Sequence, residues 1–189
     1  MKIGILALQG AVREHCRAIA DCGAEPVEVK YLRQFEEVDG LIIPGGESTT
    51  VGKLLVRHNM LEPLTDKGRQ GFPIFGTCTG LIMLAKEIQG SDQPRLELMD
   101  ITVNRNAFGR QIASFEANLP IAGISPPDFH AIFIRAPFIT AVGPNVQVLA
   151  RLDEKILMAR QDNLLAAAFH PELTSDCRIH EYFLGMCGK

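Results

Sequence analysis

The sequence predicts an α/β protein with a mostly parallel, doubly wound central sheet. Three short apolar runs, at residues 2–8, 40–44 and 72–76, are typical of strands that are covered on both faces. Apolar residues at helical spacing follow these runs, which gives the alternation of strand and helix found in parallel sheets. From about residue 100 the apolar runs become shorter and alternate with polar residues. We therefore expect additional antiparallel strands in the second half.

The first helix is predicted by apolar residues at i, i+4, i+7 and i+8, which are Val12, Cys16, Ile19 and Ala20. Gly23 is a suitable end for this helix. A further strand is expected at residues 26–31, before the one at 40–44. The first strand, the helix and the next strand thus give the β-α-β order that is typical of parallel sheets.

Two more helices are expected directly after strands. Ser48, in the glycine-rich stretch 44–50, is predicted to cap a helix that runs toward Arg57. The other follows Cys78 and is predicted by four apolar residues, Leu81, Leu84, Ala85 and Ile88. Both strand-to-helix turns therefore belong to the carboxyl edge of the sheet, where α/β proteins bind ligands.

The second half is predicted to contain short strands, a hairpin and a terminal helix. The strands are expected at 101–104, 115–119, 131–134 and 164–169, and the hairpin joins 146–152 to 156–161. The apolar face of the helix is predicted to consist of Ile179, Phe183 and Met186. Because no linker or repeat divides the sequence, we predict a single domain spanning residues 1–189.

Composition argues against several classes of protein. The net charge is −3 and the basic residues are scattered, so a nucleic-acid or anionic membrane partner is not expected. The apolar run at residues 3–8 is too short for a secretory signal or a membrane span, so we expect a cytoplasmic protein. Five cysteines without a C-x-x-C pair or zinc-like spacing argue against a disulfide framework and against a metal site.

Cys78 lies on the turn Gly76-Thr77-Cys78-Thr79-Gly80, between a predicted strand and a predicted helix. The positive end of the helix dipole favours a thiolate at this position, and free backbone N–H groups can stabilise an oxyanion. Small neighbours allow the sharp turn of a nucleophile elbow. By itself the pattern also fits a buried thiol that only fills space.

His170 is the candidate base for this thiol. It ends an apolar strand, and extended geometry would place the Glu172 carboxylate on the same side, ready to hold the ring. His15 and His58 lie in predicted helices among charged residues, so we expect both to be exposed to solvent. His180 cannot form a dyad with the adjacent Glu181, because neighbouring helical residues do not face each other.

The glycine pair Gly45-Gly46 follows a strand at the same predicted edge of the sheet. It lacks the spacing of a phosphate-binding or dinucleotide-binding loop. A backbone donor for an oxyanion hole is the better interpretation, while a non-catalytic module that binds a phosphorylated ligand stays open as an alternative.

These motifs resemble those of the class I, or triad, glutamine amidotransferases. Five ordered segments resemble more narrowly the glutaminase subunits of pyridoxal 5′-phosphate synthase: LALQGAVREH at 6–15, PGGESTT at 44–50, RNAFGRQ at 105–111, FIRAP at 133–137 and FHPELT at 169–174. The resemblance covers the whole chain and implies a three-layer, flavodoxin-like fold. One departure is Thr79, where these proteins usually carry alanine.

The resemblance implies a triad of Cys78 as nucleophile, His170 as base and acid, and Glu172 as the residue that holds the imidazole. It also implies two further sets of residues. Those that bind substrate would be Gly46, Glu47, Ser48, Arg105, Ile134 and Arg135. Those that form the oxyanion hole would be Gly46 and Thr79, supported by Gln9.

The activity that the resemblance implies is hydrolysis of L-glutamine to glutamate and ammonia. The ammonia would pass, within a hetero-oligomeric complex, to a synthase subunit that makes pyridoxal 5′-phosphate from a pentose phosphate and a triose phosphate. Neither a cofactor nor a metal is expected in the glutaminase subunit. A triad glutaminase that serves another acceptor enzyme is the nearest alternative.

Overall fold

The computed structural model describes residues 1–105 and 114–188. The strands in this part of the chain are β1 Lys2–Leu6, β2 Glu25–Val29, β3 Gly40–Ile43, β4 Ile74–Thr77, β5 Ala85–Ile88, β6 Met99–Asn104, β7 Ser114–Leu119, β8 Phe129–Ile134, β9 Phe138–Val142, β10 Gln147–Leu152, β11 Lys155–Gln161 and β12 Leu164–Ala167. The helices are α1 Val12–Asp21, α2 Leu32–Phe35, α3 Ser48–Arg57, α4 Leu61–Arg69, α5 Thr79–Leu84 and α6 Arg178–Cys187, and a 3-10 helix spans Pro171–Leu173.

The central sheet has a parallel half and a largely antiparallel half. Strands β2, β1, β3, β4 and β12 lie side by side in this order and are all parallel. The sheet continues antiparallel through β11, β9 and β6, and β5 pairs parallel with β6 at the edge. Strand β10 forms the predicted hairpin with β11, and β7 pairs with β8 in a separate ribbon. The predicted fold class is confirmed.

Helices cover both faces of the parallel half, as the alternation of side chains along β4 shows. Phe75 and Thr77 point to one face, where Phe75 packs on Phe183 of α6 and Thr77 contacts His15 of α1. Ile74 and Gly76 point to the other face, toward α4 and α5. The protein therefore has three layers, and both faces of β4 are buried.

Helix α5 is shorter than the spacing of apolar residues predicts. It ends at Leu84, and Ala85 adopts an extended conformation that starts β5. The carbonyls of Met83 and Leu84 accept hydrogen bonds from the backbone of Leu96 and Leu98, which replaces a further helical turn. The prediction that the helix continues to Ile88 is wrong, because residues 85–88 pair with β6, a tertiary contact that the local spacing does not record.

The terminal helix agrees with its prediction, since Ile179, Phe183 and Met186 are all buried in α6. None of the helices within residues 1–105 and 114–188 combines the length and the apolar character needed to cross a bilayer.

Candidate active site

Cys78 occupies a strained turn between β4 and α5. Its backbone angles are φ 49° and ψ −99°, and its N–H donates to the carbonyl of Ala167 over 2.8 Å. A non-glycine residue with positive φ is unfavourable and persists only where its surroundings hold it. The predicted nucleophile elbow is therefore present, with the thiol at the carboxyl edge of the sheet.

The glycines beside Cys78 allow the backbone to pack closely. A Cβ on Gly76 would overlap the carbonyl group of Gly80, and a Cβ on Gly80 would overlap the carbonyl oxygen of Ile43. Strand β3, the turn and the start of α5 can therefore approach one another only without these side chains. The small residues are thus required by packing as well as by the sharpness of the turn.

His170 follows β12 and lies beside Cys78. Its backbone N–H donates to the carbonyl of Ile132 over 2.9 Å, and the residue is buried. Burial lowers the pKa of His170, but hydrogen bonds and charge from Cys78 and Glu172 raise it to about 10. A ring with this pKa can hold a proton next to a thiolate at neutral pH.

Glu172 holds the His170 ring, because its Oε1 lies 2.7 Å from Nδ1. The contact is formed by a 3-10 turn over Pro171–Leu173, so the extended geometry predicted for this segment is wrong. Burial raises the pKa of the Glu172 carboxyl, yet contacts with the His15 and His170 rings shift it to a net value below normal. The buried side chain is therefore a carboxylate.

The loop of Gly45 and Gly46 is tied to three other segments. The carbonyl of Gly45 accepts from the N–H of Ala11 over 3.0 Å, and the carbonyl of Gly46 accepts from the Thr79 hydroxyl over 2.5 Å. The Oε1 of Gln9 accepts from the N–H of Glu47 over 2.7 Å. Gln9 and Thr79 thus hold the two ends of one peptide unit beside the thiol.

Glu47 is the N-cap of α3, in place of the predicted Ser48. Its carboxylate accepts from the backbone N–H groups of Thr49 and Thr50 at 2.9 and 2.7 Å and from the Thr50 hydroxyl at 2.6 Å. The bond from the Thr50 hydroxyl, with those from the backbone, lowers the pKa of Glu47 to about 2 despite some desolvation. The side chain reaches this position because the helix begins one residue earlier than predicted.

Three of the predicted substrate-binding residues come from two other segments. Arg105 contacts the side chain of Gln93 and lies 3.3 Å from the hydroxyl of Thr49. The carbonyl of Ile134 lies 4.0 Å from the Cys78 sulfur, and Arg135 follows with φ 44°. The remainder of the motif that starts at Arg105, residues 106–111, lies outside the described part of the chain.

A cavity of about 430 Å³ opens above the thiol. This volume suits a small metabolite. The cavity is lined by Gln9, Gly45, Gly46, Glu47, Ser48, Cys78, Thr79, Ile82, Arg105, Ile134, Arg135 and His170. It brings together every predicted site residue except Glu172, which lies behind the His170 ring. Ile82 was not predicted, although its position one helical turn after Cys78 could have indicated it.

Two histidines on the outer helices, His15 and His180, are buried rather than exposed to solvent. His15 and His180 are fully buried, and their Nδ1 and Nε2 atoms lie 3.1 Å apart. The prediction that His15 is exposed is wrong, because the face of α1 that carries it packs under Glu172 rather than toward solvent. His58 is exposed, as predicted.

Comparisons with known proteins agree with this geometry. The sequence pattern of the SNO glutamine amidotransferase family matches residues 5–189. The pyridoxal 5′-phosphate synthase subunit PdxT of Pelotomaculum thermopropionicum is 61% identical, over 99% of this chain and 95% of its own. That of Carboxydothermus hydrogenoformans is 56% identical over 97% and 96%. A crystal structure described as a glutamine amidotransferase superposes with a TM-score of 0.94 at 46% identity, over 99% of both chains.

Proposed function

Because the chain belongs to the SNO glutamine amidotransferase family, we propose that Cys78, His170 and Glu172 are the triad with which it hydrolyses L-glutamine. The observation that carries the proposal is the 2.7 Å contact between Glu172 and the ring of His170, beside the thiol of a strained elbow. Cys78, His170 and Glu172 then follow the order of nucleophile, base and orienting carboxylate that a catalytic triad has. The family resemblance predicted from the motifs is confirmed.

The first half of the reaction forms a thioester. The Cys78 thiolate attacks the side-chain amide carbon of glutamine and gives a tetrahedral oxyanion. The protonated His170 ring gives its proton to the amide nitrogen, the C–N bond breaks, and ammonia leaves. Glu172 keeps the ring oriented and stabilises its positive charge during this step.

The second half releases glutamate. His170, now neutral, takes a proton from a water molecule as the water attacks the thioester carbon. The second tetrahedral oxyanion collapses, the C–S bond breaks and the thiolate is restored beside the imidazolium. Atoms balance, since one water is consumed and glutamate and ammonia are formed.

Oxyanion stabilisation is assigned to backbone donors at two positions. The N–H of Thr79 lies in the first turn of α5 and has no acceptor within the helix. The N–H of Gly46 comes from the loop that Gln9 and the Thr79 hydroxyl tie in place. Donors of this kind contribute most when they are held in position before the charge develops.

Recognition of the amino-acid end of glutamine is assigned to the rim of the cavity. Arg105 and Arg135 supply positive charge for the α-carboxylate. Glu47 faces the same cavity and supplies negative charge for the α-amino group. Its carboxylate already accepts three hydrogen bonds in capping α3, and two carboxylate oxygens offer about four acceptor sites. Ser48 and Ile134 complete this wall.

The ammonia acceptor is the synthase subunit that makes pyridoxal 5′-phosphate, in a hetero-oligomeric complex with this chain. The relatives named as subunits of that synthase are 56% to 61% identical over nearly the whole chain. Ammonia released into water at neutral pH is protonated and no longer a nucleophile, so the product requires a docked acceptor. One glutaminase domain spanning residues 1–189 would fulfil this role, in the cytoplasm, where its five free thiols stay reduced.

The proposal is tested by glutamate release from glutamine, measured with the synthase subunit present and absent. Cys78→Ala and His170→Asn are expected to lower turnover by at least about a thousandfold without loss of fold. Cys177→Ala is the matched control for the thiol and should retain wild-type turnover. Unchanged turnover by Cys78→Ala would overturn the proposal, and affinity for a phosphosugar in its place would favour a binding module.

A further inference from the structure

Behind the triad carboxylate lies a second layer of buried polar side chains that the reaction does not touch. The Nε2 of His15 lies 3.3 Å from the Oε2 of Glu172 and 3.0 Å from the Thr77 hydroxyl. The Nδ1 of His15 lies 3.1 Å from the Nε2 of His180. These groups come from α1, β4 and α6, and His15, Thr77 and His180 are fully buried.

One assignment of protons fits these distances and the charge of Glu172. Glu172 can only accept, so in this assignment Nε2 of His15 carries a hydrogen, and the Glu172 carboxylate and the Thr77 hydroxyl are its two neighbouring acceptors. Nδ1 of His15 is then an acceptor and receives the Nε2 hydrogen of His180. The remaining Nδ1 of His180 is bare, which agrees with its having no hydrogen-bond partner among the described residues. Burial lowers the pKa of both rings, that of His180 to about 3, so both are neutral.

We propose that His15 is a positioning residue for the triad, which supplies a neutral N–H to the outer oxygen of Glu172 while His180 fixes its tautomer. This inference rests on the proposed function of Glu172. It extends the triad from three side chains to five: Cys78, His170, Glu172, His15 and His180.

The physical need for this second layer lies in the burial of the carboxylate. The Oε1 of Glu172 is bonded to the His170 ring, whereas Oε2 makes no hydrogen bond of standard geometry and lies 3.3 Å from the Nε2 of His15. A buried carboxylate oxygen without a donor favours protonation or rotation of the group. In either case the imidazolium of His170 would lose the charge that stabilises it.

Charged groups on neighbouring elements do not replace this contact. The inner groups facing Glu172 are His170, from the end of β12, and His15, from α1. Glu14 also acts on the pKa of His15, but its side chain is exposed on the outer face of α1. The His180 ring packs against His15 and, more distantly, Phe75, so α6 presents a neutral surface here.

Two substitutions at His15 separate positioning from packing. His15→Gln keeps an amide N–H near the place of Nε2, and its oxygen can accept from His180. His15→Met has similar length without a donor. We expect His15→Met to lower kcat for glutamine by at least about tenfold with little change in KM, and His15→Gln to keep most of the activity.

The pH dependence of Cys78 alkylation by iodoacetamide is a second measurement, and a change in packing alone should not shift it. If His15 supports the Glu172 carboxylate, His15→Met should make the charged form of the His170 ring less stable. The thiolate beside it would then be less favoured, and alkylation should reach its half-maximal rate at a higher pH. Ile19→Val on the same helix is the control for a destabilised α1, and its alkylation profile should match wild type. Equal losses of kcat in His15→Gln and His15→Met, with unshifted profiles, would overturn the proposal.

A spectroscopic measurement covers the case in which His15→Met does not fold. Nitrogen-15 NMR of the wild-type chain should show His15 neutral at pH 7 with its proton on Nε2. A proton on Nδ1, with Nε2 bare, contradicts the proposal directly. Loss of glutamate release in Cys78→Ala tests the function itself, so failure of the inference and failure of the function give different results.

Discussion

At Gly45 the active site leaves no room for a side chain. A Cβ at this position would overlap the Cε1 of His170, and it would also come within 3.4 Å of the Cβ of Cys78. The imidazole therefore rests directly on the backbone of the loop. Since the ring must keep both its contact with Glu172 and its place beside the thiol, it cannot move away to accommodate a methyl group.

We therefore expect Gly45→Ala to lower turnover by at least about a hundredfold, because a misplacement of about 1 Å has effects of this size. Glutamate release in the presence of the synthase subunit is the measurement. Gly185→Ala is the matched control, since a Cβ there meets nothing within 4 Å and α6 gains a better helix former. That variant should gain roughly 0.5–1 kcal/mol in the free energy of unfolding and keep its activity.

Thr79 contributes a hydroxyl directly after Cys78. It donates to the Gly46 carbonyl over 2.5 Å, in a partly buried position. We expect Thr79→Val to lower kcat about fivefold, the equivalent of a hydrogen bond worth about 1 kcal/mol, and Thr79→Ser to stay near wild type. Steady-state glutaminase kinetics distinguish the two variants. Equal activity of the two would show that the hydroxyl does not position the loop.

At this scale the sequence predicts the residues that carry chemistry better than those that support it. Cys78 and His170 stand next to strand ends, where position along the chain predicts position in the sheet. His15 is different, because it lies among charged residues on a helix and gives no local sign of burial. Its partners, Thr77, Glu172 and His180, are 62, 157 and 165 residues away in the sequence, and only the packing of the layers brings them together.

Helix α3 begins at the active site, and its first turn is capped by a side chain that also faces the cavity. Glu47 accepts from two backbone N–H groups, and the helix dipole further favours a carboxylate at this end. Glu47 is therefore both the cap of α3 and one of the residues proposed to bind substrate. Changes at Glu47 are expected to affect both stability and recognition.

We expect Glu47→Ala to lower the free energy of unfolding by about 1 kcal/mol through loss of the cap. Glu47→Gln keeps an acceptor oxygen, so it should lose less stability while still raising KM for glutamine through loss of the charge. Urea denaturation and steady-state kinetics measure the two effects separately. A KM for Glu47→Gln equal to that of wild type would remove Glu47 from substrate binding and leave it as a cap only.

Element types were predictable where one pattern dominated. The hairpin of β10 and β11 and the buried face of α6 agree with the sequence. A short polar turn at residues 153–154 separates two apolar runs in the hairpin, and helical spacing is clear in α6. The end of α5 was not predictable, since the apolar residues at both ends of 85–88 continue the helical spacing while the segment pairs with β6. Tertiary hydrogen bonds from Leu96 and Leu98 decide the outcome.

For the molecule as a whole, the two neutral buried histidines make stability depend on pH. Burial lowers the pKa of His180 from an ordinary value of 6.5 to about 3. Between these values the unfolded chain binds a proton that the native chain does not, so the free energy of unfolding falls as the pH falls from 6.5 toward 3. The pKa of His15 is lowered in the same direction.

We expect His180 to account for a loss of about 2 kcal/mol between pH 6.5 and pH 5. His180→Phe removes this titration and places a ring of similar size near Phe75. The unfolding free energy of the variant should therefore depend less steeply on pH over this range. Urea denaturation at several pH values gives the two slopes, and parallel curves would show that His180 is protonated in the native state.

The parallel half of the sheet, its layers and the cavity at its carboxyl edge follow from the strand and helix pattern with few assumptions. The order of strands in the antiparallel half does not, because β9 lies between β11 and β6, which are distant in the sequence. Short alternating strands pair in many ways with similar local energies. Their arrangement is set by long-range packing that no local pattern records.

Helix α1 contacts the candidate active site at two places, the glycine loop and the carboxylate of Glu172. Ala11, just before the helix, holds the carbonyl of Gly45, and His15, one turn inside it, lies against Glu172. Anyone who transplants this elbow into another α/β scaffold would therefore have to carry α1 with it. A graft that copies only the turn, the His170 strand and the glycine loop would reproduce the proposed triad without the contacts that Ala11 and His15 make with Gly45 and Glu172.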